Sequence, residues 1–159
     1  MLEPFHTTLN KRLTKTPKFY FNDVGLAARL QGWREPEPAF LSPQSGPLFE
    51  NLVWTEILRT RDHSKSPWDL NFWRTKEGYE VDFLIHTAEK CLALEVKFSN
   101  QNIPNDLDFS SLKYVFGDNL KCAIVVAGGQ RRHHPAKWPS AIEVVPISEL
   151  AGFLKSTMD

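Results

Sequence analysis

The residues best suited to chemistry in this chain are Asp82, Glu95 and Lys97, which fall on two apolar segments joined by a short polar turn. The first segment, 79–86, reads YEVDFLIH, and the second, 91–98, reads CLALEVKF. Apolar residues recur at every second position in both segments, which predicts the two strands of a β-hairpin. The charged residues therefore lie on strands that we expect to be neighbours.

A turn centred on Ala88–Glu89 sets the register that we expect for this hairpin. It pairs Phe83 with Leu94 and places Asp82 directly opposite Glu95. Two ionised carboxylates about 5 Å apart repel by about 3 kcal/mol at an effective dielectric constant of about 20, whereas a cross-strand pair usually contributes at most about 1 kcal/mol. Stability alone therefore does not explain this pairing.

Three arrangements would relieve the repulsion between the two acids. One acid is protonated, Lys97 and solvent screen the pair, or a cation lies between the carboxylates. A hard divalent ion such as Mg²⁺ takes oxygen ligands, and adjacent carboxylates supply them. The alternative is a solvated face on which Glu80 and Lys97 form a weak surface ion pair, although Leu84 and Ala93 share that face. The hairpin alone leaves both interpretations open.

The remaining pattern predicts an α/β sandwich with a mixed sheet, because hairpin strands come first and a crossover helix follows. Strands are expected at 18–21, 70–74, 79–86, 91–98, 121–127 and 141–146, helices at 24–31, 48–60, 109–116 and 148–154, and a proline-rich loop at 34–47. Within the hairpin, Val81, Phe83 and Ile85 are expected to face one core. Residues 1–17 show little hydrophobic periodicity and read as a tail.

Composition limits the possible partners and the compartment. Among 159 residues, 19 lysines and arginines balance 19 aspartates and glutamates, so any basic surface for nucleic acid must be local. No apolar run is long enough for a membrane span and no signal peptide opens the chain, so we expect a cytoplasmic protein without a membrane partner. Cys91 and Cys122 lie in apolar strands and are expected to be free thiols.

Four segments carry a resemblance to a known family: PKFYFNDVGLAARLQG, GPLFENLVWTEIL, NFWRTKEGYEVDFLI and LALEVKFS, in this order. From about residue 11 to the C-terminus, the chain resembles the domain of unknown function at the C-terminal end of prokaryotic P-loop (AAA-type) ATPases. The acid of EVD and the Glu-X-Lys of EVK also resemble the motif of PD-(D/E)XK nucleases. The resemblance implies a restriction-endonuclease-like three-layer sandwich, in which helices flank a central mixed β-sheet.

The nuclease resemblance also implies a set of catalytic residues. Asp82, Glu95 and Lys97 match its strand motif, and Glu50 matches the acid of its first core helix, with Glu56 as the second candidate for that acid. An implied Mg²⁺ or Mn²⁺ ion would be held by Asp82, Glu95, Glu50 and the backbone carbonyl of Val96. For either helix acid, the alternative is an ordinary solvated glutamate, and an acid in a first helical turn is also favoured by the helix dipole.

The resemblance divides the chain at residue 46. Residues 1–46 are expected to be an extension and linker left from the junction to an ATPase domain, and residues 47–159 the nuclease-like domain. No G-x-x-x-x-G-K-[ST] motif occurs, so we expect no ATP site in this chain. The implied partners are a P-loop ATPase domain or protein, nucleic acid and a second copy of the chain.

Four basic residues are candidate contacts for a nucleic-acid backbone: Arg74, Arg131, Arg132 and Lys137. The alternative for the last three is a solvated loop. Three functions therefore remain open, namely hydrolysis of a phosphodiester in DNA or RNA, a catalytically silent module that binds nucleic acid or protein in support of an ATPase, and a purely structural or oligomerisation module.

Overall fold

Seven strands form one mixed sheet at the centre of the computed structural model, which describes residues 1–5, 16–75 and 78–158. The strands are β1 (Glu3–Pro4), β2 (Asp69–Arg74), β3 (Glu80–His86), β4 (Cys91–Lys97), β5 (Leu120–Val126), β6 (Arg132–Pro135) and β7 (Ala141–Pro146). Their order across the sheet is β1-β2-β3-β4-β5-β7-β6. The β2–β3, β3–β4 and β6–β7 pairs are antiparallel, and the others are parallel.

The helices pack around this sheet. They are α1 (Val24–Leu30), α2 (Pro36–Leu41), α3 (Ser45–Ser64), α4 (Ser110–Phe116) and α5 (Leu150–Met158). The N-terminus of α1 is capped by Asp23, whose carboxylate accepts a hydrogen bond of 2.9 Å from the Leu26 N–H. The long helix α3 ends at Ser64, and the next residue, Lys65, takes a left-handed backbone conformation with φ of 53°.

Two apolar cores lie on opposite faces of the sheet, because successive strand residues point to opposite sides. One core joins α3 and α5 to the sheet and contains Val53, Ile57, Phe83 and Leu94. The other core contains Leu112 of α4 together with residues of the opposite strand faces. A mixed α/β fold with helices on a mixed sheet is therefore confirmed. No helix in the described ranges has the length and apolar character that crossing a bilayer requires.

The hairpin register is confirmed in the inner part of the β3–β4 pair, where Phe83 pairs with Leu94 and Ile85 with Leu92. The expectation that Val81 shares a face with Phe83 is wrong. The β2–β3 register shifts by one residue between the pairs Asn71–Leu84 and Trp73–Val81, so β3 has one extra residue there. This bulge turns Val81 towards the core of α4, whereas Phe83 and Ile85 face α3.

Four further expectations about elements need correction. Residues 18–21 form no strand, and their one bridge joins Lys18 to Leu2. The proline-rich segment contains α2, because Pro36 lies at the start of the helix, where a missing N–H costs nothing. β6 lies in the predicted basic loop, and β1 in the predicted tail. Residues 6–15 of that tail lie outside the described residues.

Candidate active site

The candidate site lies where the β3–β4 pairing ends. The paired register includes Phe83–Leu94 and does not continue to Asp82 and Glu95. Instead, the side chain of Asp82 takes the place of a backbone partner, and its Oδ2 accepts a hydrogen bond of 2.9 Å from the Val96 N–H. Asp82 lies in the bulged part of β3, between Val81 and Leu84, where the regular alternation ends. Val96 thus contributes its N–H to the site in this arrangement.

Lys18 lies at the centre of the acidic side chains. Its Nζ is 3.0 Å from Glu50 Oε1, 2.5 Å from Glu80 Oε1 and 3.3 Å from Asp82 Oδ1. The ammonium also lies 5.5 Å from the centroid of the Phe72 ring. Helix α3 and strand β3 therefore direct three carboxylates onto one cation. We name Glu50, Glu80, Asp82 and Glu95 the acid cluster.

Lys18 belongs to residues 16–21, a segment that we name the N-terminal strap, and its side chain extends into the acid cluster. The strap is pinned at two places. Leu2 and Lys18 exchange both backbone hydrogen bonds, at 2.8 and 2.9 Å, and Leu2 is only 1% exposed. The Asn51 amide of α3 accepts a hydrogen bond of 2.7 Å from the Phe21 N–H and donates one of 2.8 Å to the Phe21 carbonyl. Folding therefore brings the Lys18 ammonium into the cluster.

Tyr20 is the second strap residue at the site. Its hydroxyl donates a hydrogen bond to the Glu50 carboxylate. Its ring stacks on Trp54 at a centroid distance of 5.3 Å and contacts Phe83 at 5.6 Å. Sequence analysis identified neither Tyr20 nor Lys18 as a site residue. Their signal in the sequence is a lysine and a tyrosine within an otherwise apolar segment, a pattern that predicts a strand.

Glu95 and Lys97 form the second ion pair of the site. Lys97 Nζ lies 2.7 Å from Glu95 Oε1, and the two side chains are 32% and 12% exposed, for Lys97 and Glu95 respectively. The alternative of a surface pair between Glu80 and Lys97 is wrong, because Glu80 pairs with Lys18 and Arg74. The charged face of the hairpin is thus partly enclosed and internally paired.

Burial dominates the protonation of the acids. It raises the pKa of Asp82 to about 7, with further increases from the charges of Glu95 and Glu50, while Lys18 and the Val96 N–H act in the opposite direction. Burial likewise raises the pKa of Glu95, although Lys97 opposes it.

The two lysines and the tyrosine respond to the same charges. Burial alone would lower the pKa of Lys18, but Asp82, Glu80 and Glu50 outweigh it and raise the pKa. Lys97 behaves similarly, since Glu95 outweighs burial. The pKa of the Tyr20 hydroxyl is raised by burial and then by Glu50. Both ammonium groups therefore stay charged at neutral pH, and the tyrosine stays neutral.

The acid cluster does not fit a metal ion in this arrangement. Carboxylate oxygens are the right kind of ligand for Mg²⁺ or Mn²⁺. However, the Lys18 ammonium lies within hydrogen-bonding distance of three of them. In the described part of the chain, no group of three or more histidine, cysteine, aspartate or glutamate side chains is placed to hold a metal ion.

Among the other candidate residues, Arg74 contacts the acid cluster through Glu80, and the rest have partners elsewhere on the protein. Glu56 pairs with Arg59 at 2.9 Å on α3, so Glu50 is the helix acid that reaches the cluster. The four basic candidates each contact an acceptor: Arg74 contacts Glu80, Arg131 contacts Glu143, Arg132 donates to the Asn100 carbonyl at 2.9 Å, and Lys137 pairs with Asp108 at 3.0 Å. β6, which carries Arg132, is separated from β4 by β5 and β7.

Comparison with known proteins identifies the family. Two mycobacterial proteins, Uncharacterized protein Rv2008c of Mycobacterium tuberculosis and Uncharacterized protein Mb2031c of Mycobacterium bovis, are each 27% identical to this chain over 96 residues. The match covers 60% of this chain and 21% of each relative, so the chain spans about a fifth of their length. Residues 45–150 match the domain of unknown function DUF4143, a range that includes all four acids and Lys97 but not Lys18. Because this match covers more than half of its length, the chain belongs to the DUF4143 family.

Proposed function

We propose that this chain is a nuclease-like domain that acts on the phosphodiester backbone of nucleic acid at the acid cluster and Lys97. The observation that carries the proposal is the convergence of Glu50 with Asp82 from the end of the β3–β4 ladder, next to the Glu95–Lys97 pair. A mixed sheet with helices on both faces supports a restriction-endonuclease-like sandwich.

Each side chain has a definite part in this proposal. Lys97 is a partly exposed ammonium held by Glu95, so it can donate a hydrogen bond to a phosphate oxygen and stabilise charge that develops there. Asp82 is held by the Val96 N–H, which fixes its carboxylate towards Glu50. Divalent ions supply polarisation of the phosphate and a more acidic bound water in such hydrolyses. Because Lys18 lies among the acids, we assign no step to a metal in the present arrangement.

A second function is supported by the internal pairing of charge. Lys18 pairs with three of the four acids, and the candidate basic contacts Arg131, Arg132 and Lys137 are engaged within the chain. A site closed in this way suits a catalytically silent module that binds nucleic acid or protein in support of a P-loop ATPase. The implied partners are then an ATPase domain and nucleic acid.

Incubation with supercoiled and single-stranded DNA separates the two functions. The nuclease function predicts that the wild-type chain cleaves DNA in Mn²⁺ or Mg²⁺. This cleavage should be lost in EDTA and in the Asp82→Asn and Lys97→Ala variants. The matched control is Asp62→Asn, which removes an exposed carboxylate paired with Arg61 near the end of α3 and should cleave like the wild type. Binding of DNA without cleavage or metal dependence would favour the silent module. The absence of both binding and cleavage would refute both the nuclease and a silent module that binds DNA.

A further inference from the structure

Lys18 contacts the acids in the manner of a bound cation. Its Nζ lies 2.5–3.3 Å from carboxylate oxygens of Glu50, Glu80 and Asp82, which come from two different elements. A lysine ammonium is a compact point charge, unlike the planar guanidinium of arginine, and is the side chain closest to a small ion. One positive charge is thus shared by three acids.

A divalent ion cannot share this place with the ammonium. Mg²⁺ binds oxygen at about 2.0–2.1 Å and Ca²⁺ at about 2.3–2.6 Å, so either ion needs the same carboxylate oxygens at closer range. Two adjacent cations would repel strongly in this half-buried site. Lys18 and a divalent ion are therefore alternative occupants of one position.

The position of Lys18 is a built feature of the fold. The backbone exchange with Leu2 and the Asn51 contacts to Phe21 fix the strap on both sides of Lys18. The Lys18 side chain is 21% exposed and the Asp82 side chain 15% exposed. A solvated surface lysine would show neither the enclosure nor the anchoring.

We propose that Lys18 is the resident cation of the acid cluster and competes with divalent ions for Glu50 and Asp82. The inference rests on the proposed function, because it assumes that a divalent ion uses these acids. It adds that the ion binds only when the Lys18 ammonium leaves, so the strap sets the affinity of the site for metal.

Titration of the whole chain with Mn²⁺ alone, followed by calorimetry, tests the competition. Lys18→Met removes the charge and keeps an apolar stem, and Lys18→Gln removes the charge and keeps a hydrogen-bonding end. At least one of these variants is expected to bind Mn²⁺ at least about tenfold more tightly than the wild type, because a unit charge in contact with the acids is removed. Arg61→Met, which breaks an ion pair outside the cluster, should titrate like the wild type.

Thermal unfolding with and without Ca²⁺ gives a second readout that does not depend on activity. The Lys18 variants should melt below the wild type without Ca²⁺, and Ca²⁺ should raise their melting temperature more than that of the wild type. This measurement can also be used with a variant that folds poorly without Ca²⁺. Adding Asp82→Asn to either variant should abolish the tighter Mn²⁺ binding and the Ca²⁺-dependent rise in melting temperature.

The outcomes distinguish this inference from the proposed function. Equal Mn²⁺ affinity in the wild type and the Lys18 variants, lost in Asp82→Asn, would refute the competition and leave the metal-dependent site standing. No Mn²⁺ binding in any form would overturn both. Tighter binding in the Lys18 variants without any cleavage of DNA would support the competition and refute hydrolysis.

Discussion

Replacing Asp82 by asparagine is the sharpest test of the electrostatics of the acid cluster. Asparagine has nearly the same shape and retains an oxygen that can accept the Val96 N–H, but it cannot ionise. In the wild type, burial, followed by Glu95 and Glu50, raises the pKa of Asp82 from 3.8 to about 7 against the effect of Lys18. The substitution therefore removes one titrating group and leaves the charges that face it in place.

The sign of the effect follows from proton linkage. Between the two pKa values the native carboxyl holds a proton that the unfolded chain has released, so raising the pH destabilises the wild type. The range from about pH 5 to the native pKa spans about two pH units, and each unit corresponds to about 1.4 kcal/mol. Over this range the titration of Asp82 therefore lowers the free energy of unfolding of the wild type by about 3 kcal/mol. The free energy of unfolding of Asp82→Asn, minus that of the wild type, should therefore rise by about 3 kcal/mol between about pH 5 and about pH 8.

Urea unfolding at several pH values measures this difference. Tryptophan fluorescence reports the transition, because Trp54 stacks against Tyr20 and Phe83 in the adjacent core. Asp62→Asn controls for loss of a carboxylate from an exposed ion pair. A difference between Asp82→Asn and the wild type that stays flat, or falls, with rising pH would refute the claim that a buried, crowded carboxylate lies at this position.

Two further predictions concern the strap and the thiols. Asn51→Ala should lower the free energy of unfolding by about 2 kcal/mol, because the Phe21 N–H and carbonyl both lose a partner. The same variant should be cleaved faster by a protease within the strap. A variant with wild-type stability in urea and an unchanged digestion rate would contradict the anchoring. Burial raises the pKa of the Cys91 thiol to about 12, so a thiol reagent at neutral pH should modify the native chain slowly and the urea-unfolded chain rapidly. Fast modification of native Cys91, followed by mass spectrometry, would show that the strand is not buried.

The register of the inner hairpin could be predicted because it depends only on the sequence of the two strands and their turn. Apolar alternation and a short polar turn set the Phe83–Leu94 and Ile85–Leu92 pairs, and both are present. The side of the sheet that Val81 faces could not be predicted from the sequences of β3 and β4. It depends on the bulge against β2, and the sequence of β3 carries no signal of how its other neighbour is aligned. The expectation of two free cysteines is confirmed as well.

The composition of the candidate site could be predicted only in part. Asp82, Glu95 and Lys97 lie just beyond the paired part of one hairpin, so their proximity follows from the hairpin. Lys18 contacts Asp82 across 64 positions of sequence, from an irregular segment whose place depends on one bridge to Leu2 and on the Asn51 side chain. No periodicity identifies such a segment, since its contacts are made by individual side chains and not by a repeating face.

Stability alone does not explain the acid cluster. The fold ends a strand ladder early, replaces a backbone partner with the carboxylate of Asp82, and holds further acids close enough to raise its pKa. Buried ion pairs of this kind are often no more stabilising than apolar residues of similar size. Lys18 offsets part of the cost, yet an apolar cluster would need no such lysine. Local rules of folding are broken mainly where a site requires it, and this end of β3 and β4 is where the chain breaks them.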